Sequence, residues 1–237
     1  MEKRSPACEG FVLHSYPYRE TSLLVEVLTR ATGRMSVVAR GARRPRSPTR
    51  GALMAFQPLS LSWYGKGEVK TLAQAEWVGG QALLGGEALL CGFYLNELLV
   101  KLLAREDPHE DLFDRYRDAL RQLSHGEASA PILRGFEKAL LKELGYAMTL
   151  DREAQSGRPI DPEALYTYHP ELGPMAAEGG STEVRLSGRT LLDLAQDDYT
   201  DTRTLAEAKA LMRSLIGHRL DFQPLNSRRI FRELLEL

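Results

Sequence analysis

Residues 1–80 alternate between apolar and polar positions in short runs that are separated by glycine turns. The runs are GFVLHSYPY, TSLLVEVLT, RMSVVARGA, FQPLSLSWYG and GKGEVKTLAQAEWV. In the fourth run, one face collects the apolar side chains of Leu59, Leu61 and Trp63, as in a half-buried strand. Five such strands predict a small β-barrel. A barrel of about 80 residues fits the OB type, although the pattern alone does not separate it from an SH3-like barrel.

After residue 80 the apolar spacing becomes that of helices. Paired glycines in VGGQALLGGEALL mark a connector, and we place the domain boundary near Gly80, between domains 1–80 and 81–237. Apolar stripes predict helices in EALLCGFYLNELLVKLLARE, EDLFDRYRDALRQLS, APILRGFEKALLKELGY, TRTLAEAKALMRSLIGHRL and NSRRIFRELLEL. Residues 150–186 are rich in Gly, Pro and acids, and predict an irregular insert with two or three short strands around LYTYH and GPMAAEG. The expected class is α+β: an OB-fold barrel followed by a mainly α-helical domain.

Composition narrows the class of protein. The chain has 237 residues and only two cysteines, Cys8 and Cys91, which are too few for a disulfide framework or a cysteine-based zinc site. We therefore expect a reducing, cytoplasmic location. No apolar run is long enough to predict a membrane span. The charged start, MEKRSPACEG, is not followed by the apolar segment of a secretory signal.

Charge is distributed unevenly along the chain. Residues 1–80 contain 12 Lys and Arg and 6 Asp and Glu, a net charge of +6, whereas residues 81–237 contain 19 and 26, a net charge of −7. No acid occurs between Val27 and Gly67. Segregated charge gives information about partners rather than about fold. It predicts an N-terminal domain that binds a polyanion, on an otherwise acidic protein.

The strongest candidate for binding chemistry is residues 40–50, which we call the arginine segment. Its five arginines are Arg40, Arg43, Arg44, Arg46 and Arg50. Guanidinium groups match the geometry of phosphates and stack on bases. Interspersed prolines and glycines predict that the segment is not helical. Six aromatic residues of the same domain could stack on bases: Tyr16, Tyr18, Phe56, Trp63, Tyr64 and Trp77. The alternative is a solvated loop, with the aromatic side chains in the core.

No arrangement of residues predicts catalysis or a cofactor. The five histidines lack metal-ligand spacing, and the glycines of the connector are not followed by Gly-Lys-Ser or Gly-Lys-Thr. In the third predicted helix, Arg134, Lys138 and Lys142 share one face beside Phe136. This face is either solvated, or the edge of a groove for an acidic, apolar peptide tail.

Several segments, in this order, resemble the bacterial RecO family of recombination mediators. They are FVLHSYPYRETSLLVEVLT, VARGARRPRSPTRGAL, FQPLSLSWYGKGEVKTL, YLNELLVKLL, LRGFEKALLKELGY and LNSRRIFRELL, and they extend over nearly the whole chain. The resemblance implies an N-terminal OB fold, a helical C-terminal domain and no catalysis. It also implies binding of single- and double-stranded DNA, strand annealing and recombinase loading. The implied partners are RecR and the acidic C-terminal tail of single-stranded DNA-binding protein.

Two sets of site residues follow from the resemblance by position. DNA contacts would fall on Arg34, Arg40, Arg43, Arg44, Arg46 and Arg50. The tail site would lie on the helical domain, for which we choose Arg134, Phe136, Lys138 and Lys142. A rival interpretation is a protein–protein adaptor whose basic segment docks an acidic partner rather than DNA.

The chain departs from the family pattern at four positions. Many members of the family have two Cys-x-x-Cys pairs that bind zinc, and here the matching positions hold Glu153, Ser156, Ala176 and Gly179. Because all four thiols are missing, we expect no structural zinc. Packing and hydrogen bonds would hold this loop instead.

Overall fold

The computed structural model describes residues 3–177 and 184–235 and begins with five strands. They are β1 (Cys8–Tyr18), β2 (Ser22–Thr29), β3 (Gly33–Ala39), β4 (Leu59–Tyr64) and β5 (Val69–Trp77). The strands close into a barrel in the order β1-β2-β3-β5-β4, and β4 returns to pair with β1. The β3–β5 pair is parallel, whereas the other barrel pairs are antiparallel. The predicted five-stranded OB-type barrel is confirmed.

A helix occurs where the sequence did not predict one. Helix α1 (Pro48–Ala52) forms the end of the arginine segment, which the prolines and glycines were expected to keep out of helix. That expectation was wrong for residues 48–50. Pro48 occupies the start of the helix, where its fixed φ suits the first turn and its missing N–H removes no intrahelical hydrogen bond.

Six further helices and three further strands occur after the barrel in the part of the chain that the structure describes. The helices are α2 (Gly86–Leu102), α3 (Glu110–Ser124), α4 (Ser129–Glu143), α5 (Gly188–Ala195), α6 (Thr202–Arg219) and α7 (Asn226–Leu235). The strands are β6 (Leu165–His169), β7 (Gly173–Ala176) and β8 (Arg185–Ser187). All five helices predicted from apolar stripes are found, and α5 was not predicted. Within the described residues, no helix has the length and apolarity that crossing a bilayer requires.

The chain divides into two compact units. Unit 1 comprises Met1–Glu127 and Leu225–Leu237, and unit 2 comprises Ala128–Pro224. Unit 1 therefore contains the barrel together with α2, α3 and α7. The barrel ends at Trp77, close to Gly80, but the compact unit continues through two helices. A boundary near Gly80 stays a prediction about domain organisation.

A buried amide connects the barrel to the helices of unit 1. The Asn96 side chain, on α2, donates from Nδ2 to the carbonyl oxygen of Leu13 on β1 at 2.8 Å. Its Oδ1 accepts from the hydroxyl of Tyr116 on α3. Burial raises the pKa of Tyr116, so its hydroxyl keeps the proton that it donates. One polar side chain thus fixes two helices against a strand, in surroundings that are otherwise apolar.

The first residues of α7 donate hydrogen bonds to a carboxylate of α2. The Glu97 side chain accepts from the backbone N–H groups of Asn226 and Ser227, both at 2.8 Å, and from the Ser227 hydroxyl at 2.7 Å. These are donors that the first turn of a helix cannot satisfy internally. Burial raises the pKa of Glu97, but the hydrogen bonds from Ser227 and Asn226 outweigh it and leave that pKa lowered. The bonds hold α7 in unit 1.

Unit 2 contains the insert, which is a small sheet in the order β7-β6-β8. The short strands predicted around LYTYH and GPMAAEG correspond to β6 and β7. Helix α5 follows β8 directly, and the Glu207 carboxylate of α6 accepts from the Ser187 N–H at 2.8 Å and from the Thr190 hydroxyl at 2.6 Å. This contact joins sheet, α5 and α6 within the unit.

A hydrogen-bonded turn occupies the place of the first missing cysteine pair. The Ser156 hydroxyl donates to the Glu153 carboxylate at 2.7 Å, and the Glu153 N–H donates to the Arg158 carbonyl at 2.9 Å. Of the second pair of positions, Ala176 ends β7 and Gly179 lies outside the described residues. Among residues 3–177 and 184–235, no group of three or more His, Cys, Asp or Glu side chains could hold a metal ion.

We predict that Tyr116→Phe lowers the free energy of unfolding by about 1–3 kcal/mol, because it leaves the buried Asn96 Oδ1 without its donor. Urea denaturation followed by tryptophan emission measures the change, since Trp63 is buried in the barrel. The control is Tyr64→Phe, which removes a hydroxyl from an exposed side chain of the same barrel. Equal stability of the two variants would contradict the role of the Asn96 amide.

Candidate nucleic-acid interface

The arginine segment leaves the barrel at the end of β3 and forms a series of tight turns. Gly41 has φ +69°, and its carbonyl accepts from the Arg44 N–H at 3.1 Å. The Arg44 carbonyl then accepts from the Ser47 N–H at 3.1 Å. The Arg43 N–H donates to the Thr21 carbonyl at 2.9 Å, which ties the segment to the loop that precedes β2. The backbone is thus ordered, while the five arginine side chains are exposed.

The five arginines of the segment are exposed and carry uncompensated charge. Arg43 donates from Nη1 to the backbone carbonyls of Arg19 and Glu20, at 3.2 and 3.4 Å, and not to a carboxylate. Within the part of the chain that the structure describes, no carboxylate lies within 4.0 Å of a guanidinium nitrogen of these five residues. The segment therefore keeps its full positive charge at the surface.

Three of these arginines surround one open groove. Arg40, Arg44 and Arg46 line it together with Pro45 and Ser47, and the groove has a volume of about 610 Å³. Arg43 lies against backbone carbonyls, and Arg50 lies on α1. Several guanidinium groups around one concave surface can contact successive phosphates of a nucleic-acid strand, which a single surface arginine cannot do.

Arg34 differs from the arginines of the segment. It lies on β3, where Nη1 pairs with the Glu26 carboxylate at 2.9 Å and Nε donates to the Leu103 carbonyl at 3.1 Å. The Glu26 side chain is 4% exposed and also accepts from Arg105 at 3.1 Å and from Ser36. The charge of Arg34 is therefore compensated inside unit 1. We leave it out of the proposed surface, although its position in the sequence predicted a phosphate contact.

The six candidate stacking residues separate by exposure. Phe56 and Trp63 are buried, in agreement with the alternative of core aromatic residues, and Tyr18 is half-buried. Three remain at the surface: Tyr16 at 45% exposure, Tyr64 at 37% and Trp77 at 62%. Trp77, at the end of β5, is the most exposed of them. The alternation of the sequence identified the aromatic residues but not which of them faces solvent.

The four predicted tail-binding residues do not share an open surface. Arg134 is 7% exposed and pairs with the buried Glu137 at 2.7 Å, and Phe136 is 3% exposed. Lys138 contacts the Asp197 carboxylate and the Leu194 carbonyl, both at 2.6 Å. Lys142 alone of the four is exposed. The i, i+4, i+8 spacing indicated one helix face correctly, but it could not show that this face is packed within unit 2.

Two family models match the chain in succession. The model described as "Recombination protein O N terminal" matches residues 2–81, and the model described as "Recombination protein O C terminal" matches residues 84–229. The first match contains the barrel and the arginine segment. The second contains α2 to α6, the insert and the first residues of α7.

Relatives are similar over their full lengths. A protein of Nitrosospira multiformis named DNA repair protein RecO is 54% identical over 100% of this chain and 98% of its own. A protein of the same name from Aromatoleum aromaticum is 57% identical over 96% of this chain and 95% of its own. Another from Azoarcus sp. is 54% identical over 100% of this chain and 99% of its own.

We predict opposite behaviour for two arginines. Arg34→Ala removes a partner of the buried Glu26 carboxylate and lowers the free energy of unfolding by roughly 1.5–3 kcal/mol, while Arg105 retains part of the charge compensation. Arg44→Ala removes an exposed, unpaired side chain and leaves that free energy within about 0.5 kcal/mol of its original value. Urea denaturation of both variants measures the difference. An Arg34→Ala protein as stable as the unchanged chain would refute the structural role of this arginine.

Proposed function

The chain belongs to the recombination protein O family, and from this premise we propose that it acts in DNA repair as a DNA-binding protein that catalyses no bond chemistry. The observation that carries the proposal is the exposed and uncompensated charge of the five arginines on the barrel. The names of the relatives support a repair role.

We infer that the arginine segment binds the sugar-phosphate backbone of both single- and double-stranded DNA. Each phosphate that a guanidinium neutralises releases condensed counterions, and this release drives binding without regard to sequence. Two complementary strands repel each other through their phosphates. A groove with Arg40, Arg44 and Arg46 on its walls reduces that repulsion, so that the bases of two strands can meet and anneal. The net charge of −7 on residues 81–237 disfavours DNA contact elsewhere.

The proposed partners are RecR and single-stranded DNA-binding protein. Binding to the acidic tail of the latter would bring this protein to coated single strands, where RecR and the recombinase are then assembled. Because Arg134 and Phe136 are buried, we move the proposed tail site to the carboxyl ends of α4 and α6. Lys142 is exposed there, and the Arg219 guanidinium stacks 3.1 Å from the centre of the Tyr146 ring.

That part of unit 2 offers both kinds of group that an acidic, aromatic tail requires. Phe222, directly after α6, is 70% exposed and lies 4.9 Å from His218 between ring centres. Exposed rings can receive an apolar side chain, while Lys142 and Arg219 attract carboxylates. These four side chains support the proposed site better than the buried Arg134–Glu137 pair does.

A rival function is an adaptor whose arginine segment docks an acidic protein. The same exposed charges favour it, and ionic strength separates the two. DNA has a dense, regular charge, so log K falls linearly with log[salt]. An acidic protein surface with few carboxylates gives a weaker dependence on salt.

We predict that changing Arg43, Arg44 and Arg46 together to Ala weakens binding to single-stranded DNA and flattens its salt dependence. Each lost phosphate contact reduces the slope by about 0.7, so three contacts reduce it by about 2. Fluorescence anisotropy of a labelled oligonucleotide at several salt concentrations measures the slope, and the rate of annealing of complementary oligonucleotides should fall with it.

The matched control changes Arg152, Arg158 and Arg189 to Ala. These arginines are also exposed, lie in unit 2 and alter the net charge of the protein equally. An unchanged slope for the barrel variant, or the same loss in the control, would argue against DNA contact through the arginine segment.

We also predict that the unchanged protein binds an acidic peptide that ends in Asp-Phe with a micromolar Kd, about −8 kcal/mol, as small peptide grooves do. Lys142→Glu should weaken this binding by about tenfold, because it replaces an attracting charge by a repelling one. Isothermal titration of the peptide measures this, and DNA binding should stay unchanged. Lys209→Glu, an exposed charge reversal on α6, is the control. Equal peptide affinity in both variants would rule out the ends of α4 and α6 as the tail site.

A further inference from the structure

An apolar groove lies beside the arginine segment in unit 1. Its walls include Met54, Trp77 and Leu83, which are 44%, 62% and 68% exposed, and its volume is about 420 Å³. Three large, exposed apolar side chains share this one concave surface, and such a surface is a candidate binding site. The sequence did not predict this groove, because Leu83 lies in a glycine-rich connector, outside the predicted strands and helices.

A buried amide holds the indole ring of this groove. Trp77 donates from Nε1 to Gln57 Oε1 at 3.1 Å, and Gln57 is 3% exposed at the bottom of the groove. Because the indole N–H can only donate, it fixes which end of the amide faces Trp77. The other end, Nε2, has no hydrogen-bond partner among the described residues. A buried donor without an acceptor is unfavourable.

The groove shares helix α1 with the arginine segment: Pro48 lines the arginine groove, and Gly51 and Ala52 line the apolar one. The exposed Arg50 directly precedes Gly51 on the same helix. No acidic residue lines the groove. An exposed ring and a neighbouring arginine match two parts of a nucleotide: a flat base and a phosphate.

We propose that this groove binds one unpaired base of single-stranded DNA, which stacks on Trp77 while Arg50 contacts its phosphate. The inference rests on the proposed DNA binding and adds a preference for single strands to it. A base within a duplex is already stacked on both faces and paired along its edge, so it cannot enter. An apolar protein segment could also fill the groove, but it would make no use of the charge of Arg50.

The two tryptophans of the chain allow a direct test. Trp63 is buried at 8% exposure, so the Trp63→Phe variant leaves Trp77 as the single emitter. Titration with oligo(dT) should quench that emission, because a stacked base alters the surroundings of the indole. Trp77→Phe, in which Trp63 alone emits, should show no comparable quenching. Anisotropy of the same oligonucleotide, carrying a label, reports binding in parallel.

Comparing oligo(dT) with an abasic strand and with a duplex distinguishes a contact to a base from a contact to a phosphate. An abasic strand of equal length keeps its phosphates, and it should bind through the arginine segment without quenching Trp77. A duplex should behave in the same way. Quenching of equal size by the abasic strand or the duplex would overturn the proposal, because it would show that no unpaired base is needed.

Affinity gives a second measure. Trp77→Ala should weaken binding of oligo(dT) by roughly tenfold, within the range known for base–aromatic stacking. Duplex affinity and the salt slope should not change, since no charge is removed. Leu172→Ala, which shortens a 59% exposed apolar side chain in unit 2, is the control. Equal losses for single strands and duplex would overturn the proposal, and so would a loss of the same size in the control.

Failure of the proposed function and failure of this inference give different results. If the unchanged protein shows no anisotropy change with any oligonucleotide, DNA binding itself is refuted. If oligonucleotides bind but the emission of Trp77 and the affinity of Trp77→Ala stay unchanged, only the stacking site is refuted. Saturable binding of an apolar peptide in place of oligo(dT) would then assign the groove to a protein partner.

Discussion

The separation of carboxylates from the arginine segment is the constraint on which the proposed surface depends. A guanidinium near an acid of its own chain is compensated, as Arg34 is by Glu26 at 2.9 Å inside unit 1. The arginines at 40–50 have no such partner among the described residues, so mobile ions compensate their charge and water solvates it. Polyanion binding replaces those ions at little cost in conformational entropy, because turns and the bond from the Arg43 N–H to the Thr21 carbonyl already order the backbone.

The sequence predicted the regular elements well because their patterns are local. Alternation in runs such as TSLLVEVLT predicted the strands, and the stripe of EDLFDRYRDALRQLS predicted α3 with both ends correct. Helix α1 was missed because proline usually predicts the absence of a helix. Only in the first turn is proline compatible with a helix, and the sequence pattern did not show that Pro48 lies there. Helix α5 was missed because its eight residues are too few for a clear period.

The candidate sites were predicted less well, since charge and periodicity do not show the partner of a side chain. Arg34 and Arg44 look alike in sequence, yet one pairs with Glu26 across neighbouring strands and the other is free in solvent. Arg134 lies on the predicted face of α4, but Glu137, one turn further along, pairs with it in the interior. Such pairings depend on tertiary packing. The uneven distribution of charge along the chain could be predicted, because it follows from the residue types alone and not from their contacts.

The bonds from Asn226 and Ser227 to Glu97 have a consequence for the order of events during synthesis. Unit 2 is inserted between the two segments of unit 1, so α2 leaves the ribosome well before the helix that it caps. Until then the Glu97 carboxylate faces water, and the apolar surface that will receive α7 is uncovered. Closing so long an insertion adds little entropy penalty, because that penalty grows only with the logarithm of length. The chain segments of the barrel, α2 and α3 are therefore all synthesised before α7 is available to complete unit 1.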